Sequence, residues 1–93
     1  MGKYSVIFEK SAQKELQIHY RSGNKASIKR IEQIIFELSE HPETGIGNPE
    51  KLKFDLAGYW SRRINRKDRL VYRIDNQTVI VNIISAQGHY EDR

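Results

Sequence analysis

The feature that most constrains the fold is a stripe of aliphatic residues in the first half of the chain. Ile28, Ile31, Ile34, Ile35 and Leu38 recur at spacings of three and four, the period that lines one side of an α-helix. Lys25, Lys29, Arg30, Glu32 and Glu37 interleave with them and are expected on the outer side. Asn24 suits the start of this helix and Pro42 its end. A helix with one apolar side needs a surface to cover, and the second half of the chain supplies strands. Leu52, Phe54 and Leu56 alternate with Lys51, Lys53 and Asp55, and Trp60, Arg62 and Ile64 with Ser61 and Arg63. Arg69 to Ile74 and Thr78 to Ser85 are β-rich. Gly58, residues 65–68 and Asp75-Asn76 read as turns, and residues 42–49 as a loop.

The N-terminal region adds two elements. Tyr4, Val6 and Phe8 form the apolar side of a short strand. Ser11 is expected to cap a helix running to about Arg21, with Ala12, Leu16 and Tyr20 inward and Gly23 beyond its end. The expected architecture is α+β: an N-terminal strand and helix pair packed on a mostly antiparallel twisted sheet of four to five strands, within a single domain spanning residues 1–93. The other sheet face is expected to be open and to carry the basic residues.

Composition removes several function classes. The 93 residues include no cysteine, so disulfides, a thiol nucleophile and thiolate zinc sites are excluded. No apolar run approaches the roughly 18 residues of a membrane span, and the start lacks a signal-peptide stretch. The expectation is a soluble, reduced, cytoplasmic protein with no membrane partner. Charge is uneven along the chain. Residues 1–50 hold seven basic and seven acidic residues, whereas residues 51–73 hold eight basic residues against Asp55 and Asp68. That local excess is larger than the net charge of +4 for the whole chain. Concentrated on one sheet face, it suits a polyanionic partner.

What chemistry could such a face support? His19, His41 and His89 are far apart, with no acidic cluster to complete a metal site. Gly45-Ile46-Gly47 is too short for a phosphate loop and precedes a strand. Ser61 has no nucleophile elbow around it. Glu50, Lys53, Arg63, Arg69 and His89 remain. A carboxylate, several cations and one histidine suit phosphodiester cleavage in RNA. The substrate's own 2′-hydroxyl is then the nucleophile, and the protein supplies base, acid and positive charge. No cofactor is called for. The residues alone also fit blander roles: a solvated loop glutamate, an Arg69 paired with Asp68 or Asp75, a frayed terminal histidine, and packing roles for Trp60 and Tyr72. A non-catalytic nucleic-acid or ribosome-binding module stays open on the same grounds.

Four blocks occur in a distinctive order: Asn48-Pro49-Glu50-Lys51-Leu52-Lys53, then Leu56-Ala57-Gly58-Tyr59-Trp60-Ser61-Arg62-Arg63-Ile64, then Arg69-Leu70-Val71-Tyr72, then His89-Tyr90. Together they resemble the YoeB/Txe toxins of the RelE/ParE superfamily, the toxin halves of bacterial type II toxin–antitoxin modules. The resemblance implies a microbial RNase-like fold that cleaves mRNA in the ribosomal A site. It implies Glu50 as general base, Arg69 as the arginine stabilising the cleaving phosphate, and His89 as general acid. Tyr90 would position substrate, with Lys53, Arg62 and Arg63 as basic positions around the site. The implied partners are the ribosome, mRNA and a YefM/Axe-like antitoxin whose acidic C-terminal segment wraps the toxin; a homodimer is left open. Gyrase-inhibiting relatives of the same superfold generally lack the base, arginine and histidine set. Two departures stand out: Asp68 where relatives often carry histidine, and Glu91-Asp92-Arg93 after the usual His-Tyr end.

Overall fold

The computed structural model describes residues 3–84. The elements in chain order are β1 (Ser5–Phe8), α1 (Lys10–Ser22), α2 (Lys25–Glu40), β2 (Glu50–Lys51), a 3-10 turn (Phe54–Leu56), β3 (Tyr59–Arg63), β4 (Arg69–Asp75) and β5 (Thr78–Ile83). Five strands make one sheet in the order β1-β5-β4-β3-β2. Neighbours are antiparallel except β1, which runs parallel to β5. The result is an α+β fold with the helix pair covering one sheet face.

The aliphatic stripe does what its spacing predicts. Ile31, Ile34 and Leu38 of α2 are buried with Ala12 of α1 against Leu70, Tyr72, Val79 and Val81 of the sheet. Asn24 caps α2, its side-chain oxygen accepting the Ser27 N–H at 3.1 Å, and Gly23 ends α1 at φ 76°. Tyr4 N–H donates to Ser39 O at 2.9 Å, tying the entrance of β1 to the last turn of α2.

Several expectations are corrected. Ser11 is not a cap: Glu9 holds that position without a side-chain bond. Between Val71 and Tyr72 the β4–β5 register shifts, leaving Asn82 as the extra residue of a bulge. Ser11 Oγ donates to the Asn82 carbonyl at 3.1 Å, so it satisfies an acceptor beside the bulge. Tyr20 is exposed, its hydroxyl bonded to Glu32 at 3.3 Å. The alternation over residues 51–56 yields only the two-residue β2 and then the 3-10 turn. Phe54, expected inward, is 89% exposed at φ 59°. Alternation needs a partner strand to become a strand, and β3 pairs only Glu50 and Lys51.

Candidate functional site

Strand register assembles the site. Glu50 lies opposite Ser61, and Ser61 opposite Val71. Direct partners share a face and successive residues alternate. The neighbouring rows on the same face are therefore Arg63 opposite Arg69 on one side and Tyr59 opposite Arg73 on the other. Trp60, Arg62, Leu70 and Tyr72 turn to the helices. One carboxylate and three guanidinium-bearing residues thus share the face away from the helix pair. Glu50 is diagonal to Arg63 at about 7–8 Å between backbones. Arg69 is one strand further, about 12 Å from Glu50 by the usual strand and residue spacings. Glu50 and Arg63 are exposed and Arg69 is half-buried. Ser61 and Val71 between them are buried, so this face is open at its margins and covered at its centre. Like charges set directly opposite one another are destabilising. Arg63 opposite Arg69 sets two cations side by side, which suits an anionic ligand.

A buried ion pair fixes the approach to Glu50. Arg62 is fully buried and Glu37 nearly so, with Nη1 and Oε1 at 2.6 Å. The same guanidinium donates to Thr44 O at 2.6 Å, His41 O at 3.0 Å, Ile46 O at 3.3 Å and the Tyr72 hydroxyl at 3.3 Å. Glu37 also accepts the Ile46 N–H at 2.9 Å and the Gln33 amide at 3.0 Å. A Cβ at Gly45 would collide with both partners of the pair. Arg63 N–H closes the loop by donating to Gly47 O at 2.7 Å. Residues 41–47 are thereby held against β3, and Asn48 and Pro49 deliver Glu50 to its row. Burial raises the Glu37 carboxyl, but bonds from Gln33, Ile46 and Arg62, together with the Arg62 charge, outweigh it and hold the pKa below its ordinary value. Burial pushes the Tyr72 hydroxyl up, against the Arg62 contribution.

The expectations for Arg62 and Glu37 are corrected here. Arg62 is a core residue facing the helices, closed off from a substrate on the other face. Glu37 is not on the outer side of α2 but inside the apolar stripe. One signal could have revealed both. Arg62 alternates with Trp60 and Ile64 at an inward position, which demands an acid within the core, and Glu37 is three residues beyond Ile34 of the stripe.

Lys53 is exposed at the start of the 3-10 turn, just beyond β2. Lys51 Nζ sits 5.8 Å from the centre of the Trp60 ring, so this lysine braces β2 on β3. Asp68 is buried in the β3–β4 turn and accepts the Asn65 amide at 3.0 Å, while that amide also reaches Ser27 Oγ at 2.9 Å. Asn65 Oδ1 takes the N–H groups of Lys67 and Asp68, each at 2.8 Å. The acidic departure next to Arg69 thus helps build the turn that starts β4. His89, Tyr90, Ser85 and the Glu91-Asp92-Arg93 tail lie outside the described residues. Among the described residues no three His, Cys, Asp or Glu side chains gather into a group able to hold a metal ion.

A family model for the YoeB-like toxin of bacterial type II toxin–antitoxin systems matches residues 8–90. Toxin YoeB of Streptomyces coelicolor is 45% identical over 74 residues, covering 78% of this chain and 84% of that protein. A YoeB/ParE toxin from Agrobacterium tumefaciens has the same fold, with a TM-score of 0.77, 30% identity, and coverage of 87% of this chain and 95% of that one. YoeB from Staphylococcus aureus, solved as a YoeB–YefM complex, superposes with a TM-score of 0.76 at 32% identity, covering 88% of this chain and 94% of that one. The same relative has also been solved as a dimer.

Proposed function

This chain belongs to the YoeB-like toxin family of bacterial type II toxin–antitoxin systems, and we propose that it is a ribosome-dependent mRNA endoribonuclease that stops translation. In this reading Glu50 accepts the proton of a ribose 2′-hydroxyl. The oxygen attacks the adjacent phosphorus, and the bond to the 5′-oxygen of the next nucleotide breaks. His89 returns a proton to that leaving oxygen. The products are a 2′,3′-cyclic phosphate and a 5′-hydroxyl end, so no water or cofactor enters the step. Arg69 stabilises the charge that builds on the phosphoryl oxygens, where preorganised donors act most strongly. Lys53 and Arg63 hold flanking phosphates, and Tyr90 positions the substrate.

The observation that carries this reading is the register that puts Glu50, Arg63 and Arg69 on one face. A stripped-down binding surface needs the cations but not the carboxylate beside them. The antitoxin partner in this reading is a YefM/Axe-like protein with an acidic segment that neutralises the same cations in the cytoplasm; a second copy of the toxin is a further candidate partner.

The test maps cleavage by primer extension on translated and untranslated message. Glu50→Gln and His89→Gln should each lower the cleavage rate by about 10²–10⁴-fold, the usual contribution of a general base or acid. Wild-type cleavage in both variants would remove the catalytic assignment.

A further inference from the structure

Beside the site is a groove of about 360 Å³. Its walls are Arg63 at the end of β3, Arg66 in the following turn and Arg30 on α2. Its floor is Gly47 and Ile64, with Asn48 and Asn65 at the rim. All three arginines are exposed, and none has a side-chain hydrogen bond or ion pair among the described residues. Among the described residues no acidic side chain lines the groove. Gly47, at φ 82°, lets the loop lie directly on β3, where a Cβ would stand 2.9 Å from Arg63 O and 3.2 Å from Arg62 Cβ.

The groove is continuous with the catalytic face. Arg63 belongs to both, as a groove wall and as the cross-strand partner of Arg69. Asn48 at the rim is separated from Glu50 only by Pro49. A chain of phosphates passing Glu50 and Arg69 therefore meets Arg63 next and then the space between Arg30 and Arg66. Three guanidinium groups without a partner among the described residues, with the Asn48 side chain beside them, match the charge of phosphodiester groups.

We infer that this groove binds the RNA backbone, taking phosphates on one side of the scissile bond between Arg30 and Arg66. The inference rests on the endoribonuclease reading for the direction of the strand, but its binding chemistry does not depend on cleavage. Arg30 and Arg66 are then binding residues outside the four sequence blocks, and they extend the RNA footprint from the sheet onto α2.

The test uses the full chain and a short 2′-O-methyl RNA, which lacks the nucleophile and cannot be cut. Its affinity is measured against salt, free and on programmed ribosomes, for wild type, Arg30→Gln, Arg66→Gln and the double variant. Both positions are exposed, and circular dichroism checks that the variants fold. The double variant should bind on the order of tenfold more weakly, with a salt slope flatter by about 1.4, at roughly 0.7 per single-stranded phosphate contact. Unchanged affinity and slope in both settings overturn the inference, as does a wild-type chain that binds the RNA in neither. Unchanged RNA binding with lost binding of a polyglutamate peptide also overturns it and gives the groove to an acidic protein segment. RNA bound through Arg30 and Arg66 but never cut in its unmethylated form leaves the groove standing and removes the nuclease reading. Cleavage by the double variant at wild-type half-saturation does the reverse.

Discussion

Removing Arg62 tests whether the buried pair supports the loop that leads to Glu50. Arg62→Ala deletes the donor to Glu37, His41 O, Thr44 O, Ile46 O and the Tyr72 hydroxyl at once. Three of those acceptors are loop carbonyls, and Glu37 is left as a carboxylate among Ile34, Leu38 and their neighbours. Breaking one partner of a buried pair costs about 3–5 kcal/mol. A chain of this length has a total stability of roughly 5–14 kcal/mol at ~0.05–0.15 kcal/mol per residue. The variant should therefore lose a large share of it and melt on the order of 20 °C lower, at about 4–8 °C per kcal/mol for this size. Glu37→Gln should cost less, about 1–3 kcal/mol, because an amide oxygen can still accept from Arg62 and from the Ile46 N–H. The double variant Arg62→Ala/Glu37→Gln should lose clearly less than the two single losses added, since no buried charge is stranded. Urea midpoints at constant m-value measure all four proteins. A loss under about 1 kcal/mol for Arg62→Ala, or strict additivity in the double variant, would refute the reasoning.

The remaining expectations concern pH, strain and the site. Glu37 has a folded pKa below its unfolded value near 4.5, so its contribution is complete above that value and lost as pH falls through the folded pKa; acid titration of stability should flatten in Glu37→Gln. Tyr72 is raised above 10.0, so stability should decline as pH climbs from about 10 through the folded value, and Tyr72→Phe should lack that alkaline limb. Phe54 is 89% exposed and left-handed, so Phe54→Asn should leave stability unchanged or raise it by up to about 1 kcal/mol by relieving strain; a drop of that size in thermal melts would show a packing role. Lys53→Ala and Arg63→Ala should raise the half-saturating ribosome concentration in a salt-dependent way, whereas Arg69→Ala should lower turnover with little change in binding; equal binding losses in all three would make Arg69 one more phosphate contact.

The helices and three of the strands could be read from residue order because each follows from local rules. The stripe from Ile28 to Leu38, the cap at Asn24 and the left-handed Gly23 need no knowledge of distant partners. Phe54 shows where that reading stops: residues 51–56 alternate like a strand, but strand length is set by the neighbour, and β3 pairs only two of them. The family resemblance puts Arg62 among the basic positions around the site, although its own alternation with Trp60 and Ile64 puts it on the opposite side. Its partner Glu37 is 25 positions away, and a polar residue in an apolar stripe looks like noise until the strand across from it is known. The groove at Arg30 was invisible for the same reason, since it joins α2 to a turn in the second half of the chain.

The parallel pairing of β1 with β5 has a consequence for synthesis. Among the described residues, Ser5 through Phe8 have no strand neighbour except Thr78 through Val81, so β1 waits for a strand made about seventy residues later. Bringing together segments so distant in the chain carries a loop-closure cost that nearby contacts do not offset. A nascent chain emerging in order can form its helix pair early but has nothing to lay the pair upon, and the sheet that presents Glu50 and Arg69 cannot close around its centre until β5 is available. Prematurely terminated products that stop before Thr78 would lack the central β5 neighbour of both β1 and β4. The sheet face that carries Glu50, Arg63 and Arg69 is thereby completed only after the chain has been made through β5.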